Sequence, residues 1–210
     1  MINKEEPLIT ESVYHIYNKA IGKEKAFYSE ENYLYFLKKF KEYIEPFVHT
    51  YCYCLMPNHF HFLIRIKSAT EMELEKLPNL PKVRMNQSLN PTGLEDPSGF
   101  SSDEIIAKKL SMQFGNFFNA YAKAINKQEK RLGSLFIKPY KRVIVKDEKY
   151  LINLIKYIHL NPVEAKLCNK PEEWKFSSYR SSIEMKNNES MNSEILELFG
   201  DINNFIEMHN

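Results

Sequence analysis

Two pairs of side chains in this chain have the types and spacing to do chemistry. The first is His59 and His61 in the run "MPNHFHFLIRI". In a strand successive side chains point to opposite faces, so these imidazoles share one face while Phe60, Phe62 and Ile64 share the other. Two imidazoles so placed can clamp a metal ion or can simply face water. They are too few to hold an ion alone, so the metal reading requires a third donor. The second pair is Tyr157 and Asn161 in "KYIHLNPV", four residues apart and therefore on one helix face. Asn161 offers a carbonyl oxygen to a hard cation, and Tyr157 offers a phenol that can act as a nucleophile. The same two residues also read as core packing and as a helix C-cap before Pro162. His159, two residues from Tyr157, points away from this pair.

The elements that must position these residues are legible as patterns. "SVYHIYNKA" (Ser12 to Ala20) alternates and is rich in aromatic and β-branched residues, which predicts a strand. "SEENYLYFLKKFKEYI" follows Ser29, a helix N-cap, with Tyr33, Phe36, Leu37, Phe40 and Ile44 at helical spacing. "FVHTYCYCLM" and "HFHFLIRI" are two strands joined by so few residues that they must be antiparallel. From Lys67 to about Gly99 the chain becomes rich in proline and polar residues, an excursion with one helical turn near "EMELEKL". A long helix capped by Ser101 or Ser102 comes next, then a turn at "KRLGS". "LFIKPYKRVIV" is a strand interrupted by Pro139, and "DEKYLINLIKYIHL" a helix capped by Asp147 and bounded by Asn161 and Pro162. This order predicts an α+β fold: a ferredoxin-like, split β-α-β core with a mostly antiparallel sheet, helices on one face and a C-terminal extension.

Composition sets bounds on partners. With 210 residues and 43% hydrophobic content, the chain fits one medium domain with a real core. No window reaches the ~18 apolar residues of a membrane span, and "MINKEEPLIT" lacks a signal-peptide core. Cys52, Cys54 and Cys168 are odd in number and lack zinc spacing, which predicts small buried residues in a reducing cytoplasm. The formal net charge is +2, but residues 123–149 hold nine basic side chains against Glu129, Asp147 and Glu148, a local +6. From Glu184 onward six acids face Lys186 alone. A basic middle and an acidic end describe either a polyanion-facing surface or a solvated face.

"MPNHFHFLI", then "YIHLNPVEAKL" and "EEWKFSSYR", with "LFIKPYKRVIV" and the opening "YHIYNKA", resemble the single-tyrosine HUH transposases, and more narrowly their REP-associated tyrosine transposase branch. The resemblance runs from about Ser12 to Ile183. It implies a ferredoxin-like core in a transposase domain over 1–183, with a long insertion at about 67–100 and an acidic tail over 184–210. The family's metal pair falls on His59 and His61, its nucleophile on Tyr157 and its third, polar ligand on Asn161. Classical insertion-sequence members carry glutamine at that last position, and the REP-associated branch carries asparagine. The implied activity is metal-dependent cleavage and rejoining of single-stranded DNA through a covalent 5′-phosphotyrosine, with Mg²⁺ or Mn²⁺ and no nucleotide cofactor. The implied partner is single-stranded DNA, with or without hairpin ends, bound by a monomer or a homodimer. Lys127, Lys130, Arg131, Lys138, Lys141 and Arg142 are then the candidates for phosphate contacts, and Tyr140 for base stacking. Tyr14, His15 and Asn18 lie near the same groove, and Trp174 packs the C-terminal segment. The alternatives are a DNA-binding protein that kept the fold without the chemistry, and a metal hydrolase built on the histidine pair with added carboxylates. The joint presence of His59, His61, Tyr157 and Asn161 favours retained strand transfer.

Overall fold

The computed structural model describes residues 6–77, 102–184 and 191–209. Its sheet is built on β3 (His59–Ile66), which pairs antiparallel with β2 (Val48–Met56) across the Pro57–Asn58 turn and with β1 (Val13–Lys19) on its other side. β4 (Lys141–Val145) pairs antiparallel with β1, giving the order β2-β3-β1-β4. Helix α1 (Glu30–Tyr43) connects β1 to β2, and α2 (Ser102–Gln128) lies between β3 and β4 in sequence. This is the α+β, split β-α-β arrangement that the sequence predicts, with β3 inserted between two strands joined through a helix.

Alternation along β3 gives the sheet two unlike faces. Phe60, Phe62 and Ile64 are essentially inaccessible and join Phe36 and Phe40 of α1 and Phe114, Phe117 and Tyr121 of α2 in one cluster. Burying each such side chain is worth roughly 1.5–3 kcal/mol. A one-residue slip of β3 would exchange these rings for the histidines and forfeit several such terms, so the register is strongly specified. The helices of the split motif, α1 and α2, thus share one face, as the sequence predicts. Helix α3 (Glu148–Glu164) covers the opposite face, where Leu154, Ile155 and Ile158 pack with Cys52, Cys54, Met56 and Leu63. A bulge between Thr50 and Cys52 lets both Tyr51 and Cys52 join that second cluster.

Helix α3 starts where expected: Asp147 accepts a 2.7 Å bond from the Tyr150 amide. It does not end at Asn161 and Pro162, which the sequence marks as its boundary, but continues to Glu164. Pro162 lies inside the last turn and has no N–H to give the Ile158 carbonyl, so it weakens the helix there without ending it. The helix closes at Lys166, whose φ of 57° is left-handed, with Leu167 N donating to Pro162 O at 2.9 Å. Asn161 is therefore an interior, buried helix residue and not a C-cap.

The segment read as an acidic tail folds back, in its described part, onto this second face. Its helices α5 (Met191–Phe199) and α6 (Ile202–Glu207) bring Ile195, Phe199 and Phe205 into the α3 cluster, beside Tyr179 of the preceding α4 (Tyr179–Glu184). Trp174 packs edge-on to Tyr33 and donates to the Leu55 carbonyl at 3.0 Å, the packing role expected of it. The insertion expected at about 67–100 is described only to Leu77, where it holds a short 3₁₀ turn at Leu74–Lys76; Ser101 also lies outside the described residues. Among the described residues no helix is long and apolar enough to cross a membrane.

A buried chain of polar groups holds this layer together. His209 Nδ1 donates to the Phe205 carbonyl at 2.7 Å, so its Nε2 accepts from His159 Nδ1 at 3.1 Å. His159 Nε2 then accepts from the Ser178 hydroxyl at 2.9 Å. Burial pulls His209 down to about 4, with Lys156 also lowering it and the Phe205 bond opposing. Between about 6.5 and about 4 the unfolded chain thus binds a proton that the folded chain excludes. Stability is full above about 6.5 and falls as the pH drops through that window. Thermal unfolding scanned from about pH 8 to about pH 4 is expected to show a falling midpoint; a midpoint that rises on acidification contradicts this packing.

Candidate active site

The two imidazoles of β3 lie on the α3 face, with ring centroids 5.1 Å apart and planes nearly perpendicular. Each ring has its Nδ1 occupied. His59 Nδ1 meets the Asn58 side-chain oxygen at 2.7 Å, and His61 Nδ1 meets His15 Nε2 at 2.9 Å. The Nε2 atoms are the ones turned to the site. His59 Nε2 is 3.2 Å from Asn161 Oδ1, a contact that spans 102 residues of sequence. His61 Nε2 is buried and has no hydrogen-bond partner. An orphaned buried polar atom costs about 1–3 kcal/mol, which a fold retains where the atom has a use.

Electrostatics keep these rings neutral. Burial pulls His61 well below the ordinary imidazole range, and His15 and His59 beside it push in the same direction. His15 is lowered by burial alone, and His59 by burial and by Lys19, against the raising effect of its Asn161 contact. The Asn58 oxygen can only accept, so His59 carries its proton on Nδ1 and a lone pair on Nε2. His61 presents the same Nε2 lone pair when its Nδ1 is the donor to His15, and this is the state in which histidine ligates a metal. His59 Nε2, His61 Nε2 and Asn161 Oδ1 together make a nitrogen and oxygen donor set that fits a divalent cation with open positions. Among the described residues no three His, Cys, Asp or Glu side chains are placed to hold a metal ion by themselves, so a carboxylate-based set is not formed there.

Tyr157 reaches the same place from α3. Its ring stands edge-on to His61 at 5.5 Å between centroids and is 42% exposed, open to a substrate from solvent. Asn161, one helical turn on, is 7% exposed. A cleft of about 460 Å³ opens beside Tyr157 between the sheet and α3. Its floor carries His15, Tyr17, His61 and Val143, and its helical wall carries Tyr150, Asn153 and Leu154. His159 points to the opposite side of α3, into the Ser178 and His209 chain, as its position two residues from Tyr157 requires.

The basic candidates divide between the two faces. Lys141 pairs with Tyr17 on the histidine face and is exposed at the edge of the sheet. Arg142 and Tyr140 turn to the other side: Tyr140 packs on Phe114 and Phe118, and Arg142 Nη1 donates to Ser111 at 2.7 Å and to the Tyr140 hydroxyl at 3.0 Å. Lys138 is exposed beside Ile137, whose amide donates to Lys19 O at 3.0 Å. Lys127 and Lys130 are exposed at the C-terminal end of α2, whereas Arg131 is held by Glu24 at 3.2 Å and by Asn126 at 2.8 Å. Tyr14 is buried on the α1 side with its hydroxyl donating to Pro7 O, and Asn18 anchors the Ile137 carbonyl.

Of the first-strand residues placed near the groove, His15 alone belongs to the histidine cluster. Tyr17, which stacks on His15 at 4.6 Å, and Lys19, which pairs with His59, were not anticipated at the site. Their signal is the alternation His15, Tyr17, Lys19 along β1. Tyr150 and Asn153 were missed as well; they precede Tyr157 by two turns and one turn of the same helix.

No family model matches this chain, and no curated protein matches it. Among solved structures, a REP-associated tyrosine transposase bound to a REP hairpin is similar, with a TM-score of 0.54 and 9% sequence identity. The match covers 91% of this chain and 90% of that one. The likeness is one of fold.

Nitrogen-15 NMR of the histidine rings tests the site's electrostatics. His61 is expected to be neutral at about pH 7 with its proton on Nδ1, leaving the Nε2 lone pair toward the site. A proton on Nε2 contradicts the arrangement.

Proposed function

We propose that this protein is a DNA strand transferase of the tyrosine transposase type, with Tyr157 as its nucleophile. The observation that carries the reading is the convergence of Tyr157 with His61 and of Asn161 with His59, from elements about a hundred residues apart. Supporting it are the fold shared with a transposase whose structure holds a DNA hairpin, and the exposed lysines Lys138 and Lys141. His59, His61 and Asn161 would hold Mg²⁺ or Mn²⁺, and their nitrogen donors suit Mn²⁺ at least as well as Mg²⁺. When bound, the cation supplies positive charge that draws electron density from a non-bridging oxygen of the scissile phosphate.

The chain's own residues do the rest. Lys141, exposed at the sheet edge and paired with Tyr17 of the floor, attracts the backbone of a single strand toward the cleft. Tyr157, held edge-on to His61, presents Oη for in-line attack on phosphorus. A phosphorus–Oη bond forms as the bond to the 3′-oxygen breaks; the phenolic proton is lost and the departing 3′-oxygen gains one. The products are a 5′-phosphotyrosine and a free 3′-hydroxyl. Attack by a second 3′-hydroxyl reverses the exchange, restoring Tyr157 and joining new ends, so one phosphodiester replaces another and no nucleotide is consumed.

A labelled single-stranded oligonucleotide with Mn²⁺ is expected to yield a covalent protein–DNA adduct that Tyr157→Phe abolishes. A gel shift without adduct identifies a binder that has lost its chemistry, and cleavage without attachment identifies a hydrolase. Replacing the residue behind His61, in His15→Phe, is expected to weaken Mn²⁺ binding about ten-fold to a hundred-fold by paramagnetic resonance titration. Unchanged affinity shows that His15 does not orient His61 for a metal.

A further inference from the structure

We propose that the cleft between β1, β4 and the first two turns of α3 is a seat for one unpaired nucleobase next to the scissile phosphate, with Tyr150 as its stacking wall and Asn153 as its edge-reading group. The proposal rests on the strand-transferase reading of the same site. The cleft, about 460 Å³, lies in the ~300–1,000 Å³ range of sites that enclose a small planar group. It opens directly beside Tyr157, so whatever is covalently next to the attacked phosphate must pass along it. Its lining is what a base requires and not what a phosphate requires. Tyr17 lies on the floor with one face already against His15, Tyr150 stands across on the helix, and Val143 closes the side.

Exposure strengthens the case. Val143, Tyr150 and Tyr157 are 39%, 46% and 42% exposed, so three large apolar side chains on two elements line one opening. The fold gains little from leaving them in water; a ligand with π faces would cover them. Every base has such faces, and the amide of Asn153 carries the donor and acceptor pair that reads a base edge. Lys141, two residues before Val143 and on the same side of β4, supplies charge for the adjoining phosphate. A paired base is locked in its stack, so only an unpaired or extruded base can enter between sheet and helix. The seat thereby discriminates single strands from duplex by shape.

The test measures binding of the full chain, by fluorescence anisotropy, to three strands of about 15 nucleotides: oligo(dA), oligo(dT) and an all-abasic deoxyribose-phosphate strand of the same length. Tyr150→Ala is expected to weaken binding to the base-bearing strands about ten-fold to a hundred-fold and to leave the abasic strand unaffected. Tyr150→Phe, which keeps the ring, is expected to restore the wild-type affinity. Asn153→Ala is expected to change the ratio of dA to dT affinities. Equal losses on the abasic strand, or no loss from Tyr150→Ala in a protein that still forms the Tyr157 adduct, overturn the seat and leave strand transfer standing. Tyr150-dependent base binding with no adduct under any condition supports the seat and overturns strand transfer. Absence of any single-strand binding overturns both.

Discussion

The strict alternation of β3 is the constraint on which the rest of the molecule depends. One strand must satisfy an aromatic core on its α1 and α2 side and carry two imidazoles on its α3 side. The three rings and chains of Phe60, Phe62 and Ile64 supply the burial that fixes the register, and the histidines are carried along by it. The hydrophobic layer thus holds the polar one in place. Nothing in the histidine face has to be strong by itself, which is why a buried, unpartnered His61 Nε2 can persist there.

Helix α3 completes the site because it is held from both of its sides. Toward the sheet, Leu154, Ile155 and Ile158 pack on Cys52, Cys54 and Leu63. Away from it, His159 is locked through Ser178 to β2 and through His209 to α6. A helix anchored this way presents Tyr157 and Asn161 on its remaining edge with little rotational freedom. The position of Pro162 within the last turns leaves Asn161 helical and buried, aimed at His59 and not spent on capping. The C-terminal helices, acidic in composition, therefore contribute to the site indirectly, as packing that keeps the nucleophile's helix on the sheet.

The two faces also divide the positive charge. Arg142 is built into the α2 side, bridging Ser111 and Tyr140, while Lys141 next to it in sequence faces the cleft. Adjacent basic residues in one strand are thus placed differently, one bracing a helix and the other exposed on the cleft side of the sheet edge. A count of charge along "KPYKRVIV" does not distinguish them; the two-residue period of the strand does.

The periodicities in the chain were enough to specify its elements: strand alternation in "SVYHIYNKA" and "HFHFLIRI", the helical stripe after Ser29, the Asp147 cap and the order that makes a split β-α-β sheet. They were also enough to place His59 with His61, and Tyr157 with Asn161, because partners two apart on a strand or four apart on a helix are set by local geometry. Local geometry does not say which strand lies beside which, or on which face a helix lands. That is why Tyr17 and Lys19 emerge at the site only when β1 pairs with β3, and why Tyr150 and Asn153 gain meaning only when α3 crosses over β1 and β4. Pairing of the two candidate sets is a long-range event, decided by burial of apolar surface shared between elements about a hundred residues apart, and only the folded chain contains it.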